Sequence, residues 1–138
     1  MNIKEKIIKY KENLEYFDDV MDKYKYLLDQ GKKAESFPEE YRKDNFLVSG
    51  CQSKVWLVPK FEKEVIIFLC DSDAYISKGM ITILSNIYGD EKPIDIISSD
   101  FSKLKLLGLD NILTPGRRNG IYSMIEYIKK YASDCLKN

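Results

Sequence analysis

Two apolar, β-branched runs separated by a short charged stretch most constrain how this chain can fold. Ser53 to Pro59 and Glu64 to Cys70 are each too short for an ordinary helix and carry the valine, isoleucine and aromatic content of strands. The stretch between them, Lys60 to Lys63, is polar and reads as a turn. Phe46 to Ser49 reads as a further, shorter strand. Three strands in such close succession are most simply an antiparallel meander. Val65 to Leu69 is unbroken in its apolar character, which predicts burial of the sheet on both faces, or nearly so.

The flanks have helical periodicity. Asn2 followed by Glu5 fits an N-cap with its reciprocal acidic partner. Ile3 and Ile7 open a first helical segment that runs to about Gln30, with a break at Asn13 to Glu15. Phe17, Val20, Met21, Tyr24, Leu27 and Leu28 follow at helical spacing, and Gly31 is a natural terminator. Lys32 to Asn45 is a polar connection containing Pro38. Beyond the strands, Asp71 or Asp73 can cap a helix whose stripe is Ile76, Met80, Ile83, Leu84 and Ile87, ended by Gly89. Pro93 suits the first turn of a short helix, and Asp100 to Leu107 forms another, stopped by Gly108. A last helix spans about Gly120 to Leu136, with Ile121, Met124, Ile125, Ile128 and Tyr131 inward. The fold class is therefore α+β, one compact domain over residues 1–138 with a three-stranded antiparallel sheet packed against helices.

Composition removes several function classes. The 22 Lys and Arg balance the 22 Asp and Glu, which argues against nucleic-acid binding, since that needs a basic footprint. No apolar run approaches the ~20 residues that span a bilayer. The first residues are polar and unlike a signal peptide, so a cytoplasmic protein with reduced thiols is expected. Histidine is absent, which excludes Cys–His and Ser–His pairs and imidazole metal sites. Cys51, Cys70 and Cys135 are far apart and form no Cys-x-x-Cys, so neither a metal site nor a disulfide framework is expected.

Cys51 has the setting of a functional thiol. Gly50 before it tolerates the backbone angles of a tight turn, and the strand begins just after it, placing the cysteine at a turn tip. Gln52 and Ser53 can donate hydrogen bonds to a sulfur anion. A free thiol with pKa about 8.5 is only a few per cent ionised at neutral pH. Activation must then come from turn amides, from Lys54, Arg117 or Arg118, or from a partner. A thiolate attacking a sulfur–sulfur bond is ordinary exchange chemistry. The competing reading is an inert, buried cysteine, the commoner fate of a free thiol. Cys70, at the end of an apolar strand, and Cys135, near the end of the last helix, read as packing residues. Trp56 reads as core, and Lys129 with Lys130 as a solvated face. Arg117 and Arg118 lie near a helix start, where acids are favoured, and so call for another explanation, such as an anionic partner.

The string Gly50-Cys51-Gln52-Ser53-Lys54-Val55-Trp56 closely resembles the cysteine motif of the SufE-type sulfur-acceptor proteins, which include the CsdE branch. The similarity continues through Asp71 to Ala74, Ile76 to Gly79, and Leu113-Thr114-Pro115 with Arg117 and Gly120, and covers about Tyr24 to Tyr131. The resemblance implies docking on a pyridoxal-phosphate cysteine desulfurase of the SufS or CsdA type. It implies that Cys51 takes sulfane sulfur from the desulfurase persulfide, speeding its turnover, and passes it to a SufB-type iron–sulfur scaffold or another recipient. It further implies a fold related to the IscU-type scaffold, with no pyridoxal phosphate and no metal of its own. Arg117 matches the family's Thr-Pro-x-Arg arginine, implying a contact to the cysteine loop or the partner, and Asp73 matches an acid beside that loop. Cys70 departs from the family, which usually has glycine there; Gly116 and Asn119 replace more usual residues, and Arg118 adds a charge.

Three roles follow: a persulfide carrier; an iron–sulfur scaffold of the related fold, in which Cys70 would join Cys51; and a non-catalytic desulfurase activator. For the carrier the loop around Cys51 should be mobile, with the thiol hidden at rest and emerging on docking.

Overall fold

The two long apolar runs form a hairpin in the computed structural model, which describes residues 1–137. Strands β1 (Val55–Glu62) and β2 (Val65–Ser72) pair antiparallel, from Val55 opposite Ser72 to Glu62 opposite Val65. The turn falls at Lys63 and Glu64, not at Lys60 to Lys63, so β1 continues past Pro59. Both turn residues have positive φ, 50° and 70°, as a two-residue hairpin turn matched to strand twist requires. Pro59 is tolerated because of its parity. The Val55 carbonyl points away from β2, to Val48 N–H at 2.8 Å, and the period of two puts the missing Pro59 N–H on that same outer edge.

Among the described residues the sheet has two strands, and the expected third strand is absent. Asp44–Phe46 is a 3-10 turn, closed by Leu47 N–H donating to the Asp44 carbonyl at 3.1 Å. Gly50, at φ 91°, turns the chain again. Only Leu47 and Val48 are left to lie along β1, and they make one bridge, Leu47 to Trp56. Burial on both sheet faces also fails. In β2 burial alternates, with Ile66, Phe68 and Cys70 facing the core and Ile67 exposed. The opposite face is covered only in part, where Phe37, Tyr41 and Phe46 form an aromatic chain and the Arg42 guanidinium lies over the Phe37 and Trp56 rings.

Helix α1 (Ile3–Glu15) begins with the expected Asn2–Glu5 capping box. The break comes later than Asn13 to Glu15, because the Asp19 carboxylate accepts the Met21 N–H at 2.8 Å and starts α2 (Val20–Lys32) there. Val20 and Met21 are exposed, while Leu27 is fully buried. Gly31 does not end α2. It lies inside the helix, where a Cβ would come 3.0 Å from the Gly79 amide nitrogen, and a Cβ on Gly79 would run into the Leu27 carbonyl. These two glycines let α2 lie directly on α3 (Tyr75–Tyr88).

Helix α3 is the centre of the core. Its expected stripe is buried, and so are Ile81 and Tyr88 on other faces, because α1, α2, α5 and the hairpin all pack on it. Neither Asp71 nor Asp73 caps it: Ala74 is the N-cap and makes no side-chain cap bond. Helix α4 (Pro93–Ser98) starts at its proline. Asp100 to Leu107 is a 3-10 segment rather than an α-helix, capped by Asp100 and stopped by Gly108 at φ 68°. Helix α5 (Pro115–Lys137) begins before Gly120. Thr114 starts it: its carbonyl accepts the Arg118 N–H at 3.0 Å and its hydroxyl the Arg117 N–H at 3.4 Å, with Pro115 pre-set for the first turn. Among the described residues no helix is long and apolar enough to cross a membrane.

Candidate functional site

The early start of α5 builds the site, because it lays Gly116, Arg117 and Gly120 against the loop before β1. Gly50 must bend the chain with positive φ where a Cβ would strike the Ser123 hydroxyl. Cys51 follows, partly buried, and its thiol donates to the Gly120 carbonyl with Sγ 3.7 Å from the oxygen. The Gln52 amide lies on Gly116, in space a side chain at that position would occupy. The Ser53 hydroxyl accepts from Arg117 Nη1 at 2.5 Å, and the same nitrogen donates to Ser77 Oγ of α3 at 2.7 Å.

The loop's exit is pinned through its backbone. Lys54 N–H donates to Asp73 Oδ1 at 3.0 Å, and the Lys54 carbonyl accepts from Ser72 Oγ at 2.7 Å and from Asp73 N–H at 3.1 Å. Asp71, next in line, is buried and paired with Arg42 at 2.5 Å and Lys78 at 3.5 Å. Val48 bonded to Val55 ties the two stems together. Residues 49–53 are thus a short loop with fixed ends, whose tip is held to α5 by contacts of Cys51, Gln52 and Ser53.

The structure therefore brings Gly50, Cys51, Gln52, Ser53, Asp73 and Arg117 together. Arg118 is not among them; it donates to the Asp110 carbonyl at 3.4 Å. Ser72 and Ser77 complete the set and were missed by sequence reasoning. Ser77 carries a signal: it is a hydroxyl within the buried apolar surface of α3, where it needs a partner. Cys70 does not join Cys51, since its thiol lies 3.8 Å from Thr82 Oγ1 of α3 and burial pushes its pKa up. Cys135 neighbours Tyr131 on α5. Among the described residues no three His, Cys, Asp or Glu side chains converge as metal ligands.

Burial raises the Cys51 thiol pKa above its usual value, and the Arg117 charge opposes it without cancelling it. Donation to the Gly120 carbonyl works in the same direction as burial, because only the protonated thiol can donate. The resting site thus stores a thiol rather than a thiolate. A raised folded-state pKa stabilises the fold below the thiol's ordinary value, and that contribution disappears as pH rises through the raised value. Alkylation of Cys51 in the native chain should accordingly reach half its maximal rate at higher pH than in the urea-unfolded chain. Equal or lower pH in the native chain would contradict this electrostatic account.

Residues 8–132 match the family model described as SufE: Fe-S metabolism associated domain. The chain is 35% identical over 129 residues to a "Cysteine desulfuration protein SufE" of Wigglesworthia glossinidia brevipalpis, covering 92% of this chain and 90% of that one. It is 32% identical over 139 residues to a protein of the same name from Plasmodium falciparum, covering 94% of this chain and 56% of that longer one. In fold it is similar to the solution structure of a hypothetical protein from Thermus thermophilus, with a TM-score of 0.77, 16% identity, and 96% and 97% of the two chains covered. The family match extends over nearly the whole chain, and the chain belongs to the SufE family of Fe–S metabolism associated domains.

Proposed function

We propose that this chain is a sulfur carrier whose Cys51 takes the sulfane sulfur of a cysteine desulfurase persulfide and delivers it to an iron–sulfur cluster scaffold. The observation that carries this reading is the mounting of Cys51. Its thiol is the tip of a short loop with pinned stems, held to α5 by contacts that a docking protein can replace.

The transfer balances without any added oxidant. On docking, the loop leaves α5, and the thiol loses the Gly120 carbonyl and gives its proton to solvent water. The Cys51 thiolate attacks the terminal sulfur of the desulfurase's Cys–S–SH. The new bond is Cys51 Sγ to that sulfur, the old sulfur–sulfur bond breaks, and the desulfurase cysteine leaves as thiolate. Lys54 and Asp73 act as the fixed point about which the loop swings. Arg117, whose charge opposes the burial of the resting thiol, is freed from Ser53 and faces the docked partner.

The partner on this reading is a pyridoxal-phosphate desulfurase of the SufS or CsdA type, the recipient a SufB-type scaffold or another acceptor, and the compartment the cytoplasm. Neither nucleic acid nor membrane takes part. The scaffold reading needs Cys70 beside Cys51, and the two thiols rest against different helices. To test the carrier, the chain is incubated with a cysteine desulfurase and cysteine, separated, and treated with dithiothreitol. About one sulfide per chain should be released, as one persulfide gives one sulfide on thiol exchange. Release of none would refute the reading.

A further inference from the structure

The loop that carries Cys51 lies along one stripe of α5, residue against residue. Gly50 meets Ser123, Cys51 meets Gly120, and Gln52 meets Gly116. Positions 116, 120 and 123 are four and three apart, so they share one face of the helix. All three residues are small, which lets the loop backbone come close.

The two glycines of the stripe differ in what they face. A Cβ on Gly120 would stand 3.6 Å from Cys51 Sγ and 3.9 Å from Cys51 Cβ, which is ordinary van der Waals contact. A Cβ on Gly116 would overlap the Gln52 amide, with Oε1 2.7 Å away and Cδ and Nε2 nearer still. The closed loop thus has room for a methyl group at 120 and none at 116. Gln52 is otherwise exposed, so its amide can be lifted off Gly116 without crossing the core. Its backbone lies between the Cys51 bond to the Gly120 carbonyl and the Ser53 bond to Arg117. Where its side chain is seated, both bonds stay in register.

We propose that Gln52, seated on Gly116, is a positioning residue: it holds Cys51 closed against α5, and a docking protein must unseat it. The holding of Cys51 is a property of the free chain. The docking role rests on the carrier reading. On that reading the desulfurase engages the open loop, and the apparent affinity is reduced by the fraction of chains that are open. The seat on Gly116 therefore sets how readily this chain docks.

The test uses the full chain and iodoacetamide, with alkylation read on the Cys51 peptide by mass spectrometry. Gly116→Ala should speed alkylation about fivefold or more, the scale of coupling between residues in contact. Gly120→Ala, the same chemical change one turn on, should slow it, because its methyl packs on the closed thiol. A helix-propensity effect would move both variants in one direction. Gln52→Ala empties the seat without changing α5 and should match Gly116→Ala. The double variant should be no faster than Gln52→Ala, since the added methyl then meets no amide. With a cysteine desulfurase, Gly116→Ala should reach half-maximal stimulation at a lower concentration, the change falling on that concentration rather than on the maximal rate. Alkylation of Gly116→Ala at the original rate would overturn the proposal. So would an acceleration by Gly116→Ala that persists beside Gln52→Ala, or an equal one in Gly120→Ala. Faster alkylation with an unchanged half-stimulating concentration would overturn the docking role. If the chain takes up no sulfur, the carrier reading fails, and the alkylation rates still decide whether Gln52 holds the thiol.

Discussion

Cys51→Ala is expected to return a cysteine desulfurase from its stimulated rate to the rate it shows without this chain. On the proposed role, Sγ is the only atom that forms and breaks a covalent bond, so its loss leaves no partial activity to measure. The variant should otherwise be intact. The substitution removes one hydrogen bond, to the Gly120 carbonyl, and leaves the Gly50 turn, the Ser53–Arg117 bond and the Lys54–Asp73 pin in place. A lost hydrogen bond from a partly buried thiol costs about 1 kcal/mol, against a typical total stability of about 5–15 kcal/mol. Unfolding curves for the variant and the original chain should therefore nearly coincide, which separates loss of chemistry from loss of fold. Full stimulation by Cys51→Ala would instead identify a non-catalytic activator.

Gly79→Ala should unfold or severely destabilise the chain. Helix propensity alone gives the opposite sign, since alanine in a helix interior is favoured over glycine by about 1 kcal/mol. Sterics decide the outcome. The added Cβ would meet the Leu27 carbonyl, a backbone atom within α2 that cannot rotate away. Relief requires lifting α2 from α3, and α3 is the helix on which the rest of the core is built. Overpacking of this kind costs about 3 kcal/mol or more where backbone must move. Gly31→Ala should be milder, because its nearest neighbour lies at 3.0 Å and part of the contact is with the flexible Lys78 side chain. Urea denaturation of the two variants measures both effects. A Gly79→Ala variant as stable as the original would show that the α2–α3 crossing is not set by these glycines.

These cases mark what was legible in the sequence. The hairpin and the central helix were, because strand and helix periodicities over Val55–Cys70 and Ile76–Ile87 are strong and local. The third strand was misread because composition does not reveal that Phe46 is spent in a 3-10 turn and that Gly50 turns the chain away. Gly31 looked like a terminator because a glycine after apolar helical positions usually is one; its true role depends on Gly79, distant in sequence. The start of α5 was placed too late for a related reason. Gly116 and Gly120 resemble breakers, whereas one yields to the Gln52 amide and the other meets the Cys51 thiol. The resemblance marked Cys51, Asp73 and Arg117, but not how they act together. That needed the backbone of Lys54 and the hydroxyls of Ser72 and Ser77, which lie within the matching stretches but whose partners are distant in sequence.

The central claim is that sulfur travels on Cys51 and on no other atom of this chain. Three thiols are available, and proteolysis followed by tandem mass spectrometry of the sulfur-loaded chain reports which of them carries the added mass. The account predicts a single extra sulfur on the peptide containing Cys51, with the peptides of Cys70 and Cys135 unchanged. Extra sulfur on Cys70 or Cys135 with Cys51 unmodified would contradict it.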